Sequence, residues 1–127
     1  MKATWQWGVL LMAASVLAAC GGGGDSNGYG AVAVSASTNK VAISSERLTQ
    51  SVANDDARDA CDASDCQVIL QFKECGAAAQ GFLGGALTIT AGAGNTAFEA
   101  QTAANNACTA RGATGCGEIP NLAAKCN

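Results

Sequence analysis

Three cysteines recur in the same order in two successive stretches of the chain, Cys61-Cys66-Cys75 and Cys108-Cys116-Cys126, and this limits the possible folds more than any other feature. At an offset of 47, Thr49, Ala53, Ala57, Ala60 and Cys61 fall on Thr96, Ala100, Ala104, Ala107 and Cys108. At 46, Gly30-Ala31 falls on Gly76-Ala77, and Val41-Ala42-Ile43-Ser44 on Leu87-Thr88-Ile89-Thr90. At 50 and 51, Cys66, Ile69, Phe72 and Cys75 fall on Cys116, Ile119, Leu122 and Cys126. An ordered self-match at one period is the signature of an internal duplication. It predicts repeats at about 29–75 and 76–127.

The amino terminus reads as an address. Lys2 precedes the apolar run Val9–Val16 and then small residues, the layout of a secretory leader and too short for a membrane span. Leu17-Ala18-Ala19-Cys20 resembles a bacterial lipobox, which implies removal of residues 1–19 and lipidation of Cys20. Acyl chains such as palmitate contribute about 0.8 kcal/mol per buried methylene, so several of them anchor a chain for good. By analogy with the sorting rule of enterobacterial lipoproteins, Gly21 after the anchor, rather than Asp, implies the outer membrane rather than the inner, with the domain facing the periplasm. Residues 20–28 form the anchor and a glycine-rich tether, and residues 29–127 the duplicated domain.

Both tryptophans leave with the leader, and among the 108 remaining residues Val, Ile, Leu and Phe number 17. So thin a core offsets chain entropy narrowly, and an exported domain of this size calls for covalent staples. Six cysteines remain for disulfides: Cys61, Cys66, Cys75, Cys108, Cys116 and Cys126. Each repeat holds three, so at least one bond must join the repeats. The preferred symmetric set is Cys61 with Cys66, Cys108 with Cys116, and Cys75 with Cys126. No C-x-x-C is present, which argues against zinc and dithiol redox chemistry.

Each repeat has the same local grammar. Alternating stretches at Ala31–Ser35 and Lys40–Ser44, and at Ala77–Gly81 and Ala86–Ala91, read as hairpins with turns at Ser37-Thr38-Asn39 and Gly84-Gly85. A helix follows, its start marked in the second repeat by the capping box Thr96-Ala97-Phe98-Glu99. Alanines at 53, 57, 60 and at 100, 104, 107 make smooth stripes that can lie close on a sheet. Third strands are expected at Gln67–Lys73 and Glu118–Leu122, the latter irregular because of Pro120. The predicted fold is α+β: two tandem ββαβ repeats with pseudo-twofold symmetry, an antiparallel sheet with two Ala-rich helices, stabilised by disulfides.

Tyr29-Gly30-Ala31-Val32-Ala33, Ala60-Cys61 through Cys66-Gln67-Val68, Cys75-Gly76-Ala77-Ala78-Ala79, and Glu99-Ala100 ahead of Cys108, Cys116 and Cys126 resemble the exported bacterial domain of unknown function 4189. The resemblance covers residues 29–127. It implies a secreted or surface-anchored protein and carries no catalytic residues with it.

With no histidine, the chain cannot supply a Ser-His-Asp triad, a Cys-His pair, a histidine-ligated metal or an imidazole switch. A net charge of −3 with scattered basic residues argues against nucleic acid as a partner. No cofactor, metal or catalytic residue is expected. Asp55, Asp56, Asp59, Asp62 and Asp65 form an acidic run in which 55, 59 and 62 share a helix face. It reads first as a solvated face, then as a docking surface for a basic partner, and last as a weak calcium patch, since no glycine-turned calcium loop is present. Gly92-Ala93-Gly94-Asn95-Thr96-Ala97 fits G-x-G-x-x-A, yet the βαβ setting of a dinucleotide cradle is missing, so turn and helix lead-in are expected. Glu74 and Glu118 are acids near the third strands, but no aromatic sugar platform surrounds them, so they are expected to be surface charges. Phe82 and Leu83, flanked by glycines, belong either in the core, the preferred reading, or on an exposed hairpin tip that anchors a partner.

The expected function is a non-enzymatic, membrane-anchored lipoprotein that binds or inhibits another protein near the envelope. One concrete version is an immunity protein against a secreted antibacterial toxin or cell-wall hydrolase. The rivals are a structural accessory of an envelope or secretion complex and an envelope hydrolase using the clustered Asp residues.

Overall fold

The computed structural model describes residues 28–127, so the leader, Cys20 and all of the tether but Gly28 lie outside the described residues. The elements run β1 (Tyr29–Ser35), β2 (Val41–Arg47), α1 (Gln50–Cys61), β3 (Cys66–Phe72), β4 (Cys75–Leu83), β5 (Ala86–Gly94), α2 (Ala97–Ala110), β6 (Thr114–Glu118) and β7 (Lys125–Cys126). They make an α+β protein with two antiparallel sheets, ordered β2-β1-β3 and β5-β4-β6, and β7 pairs with the start of β4.

Two sheets stand where one was expected, and side-chain alternation gives the reason. Along β1, Ala31 and Ala33 pack against α1, while Val32 turns the other way. Along β4, Ala77 and Ala79 pack against α2, while Ala78 turns the other way. Val32, Ile43, Phe72 and Ala78 then meet in a cluster of their own between the sheets. One sheet carrying both helices on one face would leave that cluster in water. Folding sheet on sheet gives layers of helix, sheet, sheet and helix, and buries both faces of the central strands.

The helices start where side chains satisfy free amides. The Thr49 hydroxyl accepts the Val52 N–H at 3.1 Å, and the Thr96 hydroxyl accepts the Glu99 N–H at 3.1 Å. The Glu99 carboxylate reaches back to the N–H of Asn95, at 3.0 Å. The buried stripes are Ala53-Ala57-Cys61 and Ala100-Ala104-Cys108. Spacing of four throughout leaves Ala60 exposed and Ala107 half-buried, against the expected place of both in the stripe.

Similar bonds fix both helices to their sheets, but one turn out of step. The Ser44 hydroxyl donates to the Ala53 carbonyl at 2.7 Å, and Gln50 Nε2 donates to the Gly30 carbonyl at 2.9 Å. On the second sheet the Thr90 hydroxyl donates to the Ala104 carbonyl, and Gln101 Nε2 to the Ala78 carbonyl, both at 2.9 Å. Ala53 lies four residues past its cap and Ala104 eight, so α2 sits a turn further along.

The expected strand at Glu118–Leu122 lies earlier in the chain. β6 ends at Glu118, and Pro120, which has no N–H to donate, falls in the segment beyond. Disulfides join Cys61 to Cys66, Cys108 to Cys116 and Cys75 to Cys126, the pairing that symmetry favoured. The first two tie each helix end to the strand that follows it. The third joins residues that face each other across β4 and β7.

Candidate functional site

The β4–β5 hairpin closes through Gly84 and Gly85, at φ of 60° and 86°, a tight turn with both central residues left-handed. Leu83 faces Ala86 and Phe82 faces Leu87 across it. Phe82 is 50% exposed and Leu83 43%, so the core position preferred from the sequence is not the one they take. The residue before them packs on a disulfide. A Cβ on Gly81 would come within 2.5 Å of the Cys108 sulfur and 2.8 Å of the Cys116 sulfur. The disulfide fills the space beside Gly81 on the α2 side of β4, and the alternation of the strand puts Phe82 on the opposite face. The Thr114 hydroxyl holds the Phe82 carbonyl at 3.3 Å.

Beside this tip runs a groove of about 490 Å³. Leu87 and Ile89 of β5 line one wall, and Val34 and Ile69 the other, with Arg111 at the end of α2. Ile69 reaches the groove because of a bulge. Val32 pairs with Leu70 and Ala33 with Val68, so Ile69 has no opposite number, and the extra residue re-aims its side chain. Tip and groove are neighbours: Leu87 is the register partner of Phe82, and Gly112, next after Arg111, lies beside Leu83.

Among the described cations, Arg111 and Lys125 have no acidic partner, and of the two Arg111 lines the groove. Lys40 pairs with Asp62 at 3.6 Å, Arg58 with Asp55 at 3.0 Å, and Arg47 with Asp56. Lys73 lies over the Tyr29 ring, 3.8 Å from its centroid. The guanidinium of Arg111 has no ion-pair partner among the described residues.

These same pairs use up much of the acidic run. Asp55 and Asp62 are each bound to a cation; Asp62 is the left-handed cap beyond α1, so of the three acids expected on one helix face only Asp55 and Asp59 lie on the helix. Asp65 is built into the frame: its carboxylate accepts the Ser35 hydroxyl at 2.5 Å and the Ser37 N–H at 3.0 Å. Those donors hold its carboxyl below the usual range. α1 covers one sheet and the Phe82–Leu83 hairpin belongs to the other, so the two expected partner surfaces lie on different layers. Among the described residues no group of three acids or cysteines is placed to hold a metal ion.

The glycines of the G-x-G-x-x-A stretch have a packing role. Gly92 and Gly94 lie on β5 beneath α2, where a Cβ would come within 2.6 Å of the Ala103 carbonyl carbon and of the Ala100 nitrogen, respectively. The helix backbone occupies the room a pyrophosphate would need. The groove itself was not anticipated from the sequence. A bulge leaves no local signature, and Arg111 reads as an ordinary basic residue at a helix end.

The family model described as "Domain of unknown function (DUF4189)" matches residues 29–122. No curated protein and no solved structure matches the chain.

Proposed function

The chain belongs to the DUF4189 family, and we propose that it acts without catalysis, as an envelope-anchored lipoprotein that binds a protein partner. The observation that carries this reading is the exposure of Phe82 and Leu83 on a hairpin braced by the Cys108–Cys116 bond. A large aromatic on a rigid support loses little conformational freedom on docking, so most of the apolar area it buries counts towards affinity. The lack of histidine and the pairing of the clustered Asp residues speak against the hydrolase reading.

In this proposal Cys20 carries the lipid, residues 21–28 form a short spacer, and the domain stands in the periplasm at the outer membrane. The partner is a protein that acts there, an incoming toxin or a cell-wall hydrolase, which the chain blocks as an immunity protein. The two halves descend from one ββαβ unit related by a pseudo-twofold axis. The matching strand orders and threonine caps support that origin, while the one-turn offset of α2 records later divergence.

The test is cross-linking of the full lipoprotein in intact cells, comparing the native chain with Phe82→Ser/Leu83→Ser. The expected result is one predominant envelope or effector protein, lost in the double variant while the melting temperature stays unchanged. Equal recovery with the variant would overturn the reading. Labelling with palmitate that requires Cys20 checks the anchor.

A further inference from the structure

We infer that β5 receives an extended segment of the partner as an added strand, with a carboxylate of that segment bound by Arg111. This deepens the protein-binding reading above and rests on it.

The two sheets have four edges, and three of them carry features that oppose strand addition. β2 has a bulge at Glu46, whose φ is 58°, and the N–H of that residue is taken by the Asn127 side chain. β3 is broken by the bulge at Ile69. β6 is five residues long, is bulged at Gly115 and is followed by Pro120. β5 differs on every count. It is nine residues long, without charge or proline, and its pairing with β4 runs from Gly94 to Ala86 with no shift of register. Among the described residues, no other strand, loop or side chain bonds to the outer main-chain groups of Ala86–Gly94.

Such a row of open donors and acceptors is matched by one kind of ligand, an extended backbone. The groove beside it has apolar walls, Val34, Ile69, Leu87 and Ile89, that accept alternate apolar side chains of an added strand. Arg111 sets the charge. In a chain of net charge −3 it is a groove-lining cation with no acidic partner among the described residues, so the complementary group is a carboxylate. The fitting occupant is an alternating apolar segment, otherwise uncharged, that carries an Asp, a Glu or a C-terminal carboxylate at one end.

The test is to pan a displayed library of random nine-residue peptides against the full lipoprotein in detergent, then follow amide hydrogen exchange with the enriched peptide. The expected consensus alternates apolar residues and carries one acid. Every second amide of Ala86–Gly94 should slow at least tenfold. Affinity should fall at least tenfold with Arg111→Gln, and equally when the peptide acid becomes its amide. Thr88→Lys, an edge charge checked for an unchanged circular dichroism spectrum, should also abolish the protection. Failure to enrich any peptide, protection outside β5, or indifference to Arg111→Gln would overturn strand addition. Protection confined to Phe82 and Leu83 would overturn it and leave the protein-binding reading standing. Protection of β5 without peptide in a sedimenting dimer would overturn it in favour of a second copy as occupant.

Discussion

The ring of Phe72 occupies the space that a side chain on Gly76 would need. It does the same at Gly30, so one aromatic from the end of β3 is gripped between glycines that stand at the start of the central strand of each sheet. The repeated Gly-Ala pair, Gly30-Ala31 and Gly76-Ala77, thereby has a cause: the glycine admits the ring and the alanine faces the helix. With Phe72 only 4% exposed, the ring has nowhere to retreat.

Gly76→Ala or Gly30→Ala is therefore expected to cost about 1–3 kcal/mol through overpacking. Phe72→Ala leaves a cavity between the sheets and should cost about 3–5 kcal/mol. Urea denaturation with the disulfides intact measures both. Phe72→Leu in a Gly76→Ala background should recover part of the loss, whereas simple additivity would show that the two positions do not clash.

Gly92→Ala should be among the costliest single-methyl changes, because the obstruction is the α2 backbone rather than a movable side chain. Gly117→Ala meets nothing within 4 Å and serves as the control. Thermal melts should separate them by several degrees, since about 1 kcal/mol shifts a domain of this size by about 4–8 °C.

The disulfides should differ in worth. Cys75–Cys126 closes a separation of 51 residues, against 5 for Cys61–Cys66 and 8 for Cys108–Cys116. Chain-entropy arguments give about 4 kcal/mol for the first and about 2 for the shortest. Paired Cys→Ser variants compared by urea midpoint should follow that order. The oxidised domain should also be lighter than the reduced one by six hydrogens, which a mass spectrum reads directly.

Asp65 gives a pH dependence of known sign. The Ser35 and Ser37 donors bind its carboxyl more strongly when it is ionised, so its folded pKa lies below the unfolded one, about 3.9. The stability it contributes is fully present above that unfolded value and is lost as pH falls through the lower, folded pKa. Urea midpoints between pH 7 and pH 2 should drop below about pH 4. In Asp65→Asn that component should be missing, with a lower midpoint at neutral pH.

Much of the local structure is legible in the chain. Thr96 and Glu99 announce a helix start because cap chemistry is decided within four residues; Thr49 caps the other helix with no acid three residues on, and is legible only as the repeat match of Thr96. The alanine stripes announce close helix packing. The order of the cysteines, with three in each half, was enough to favour the pairing observed. What was misplaced depends on contacts distant in sequence. Ala60 and Ala107 lie at helical spacing from the stripe, yet the sheet touches only every fourth residue. Phe82 looks like core by hydrophobicity, yet it stands half exposed at the far end of β4, beyond the cluster between the sheets.

By itself, then, the amino-acid sequence determined the element types, the helix caps, the covalent framework and the family, because each rests on residues near one another or on cysteine order. Only the tertiary structure decided that the strands divide into two sheets, that Phe72 is the wedge between them, and that β5 is left with an open, uncharged edge beside Arg111. Those outcomes turn on which face of each strand finds a partner. The pattern of Ala and Val along a strand states that both faces are apolar, but not what will cover them.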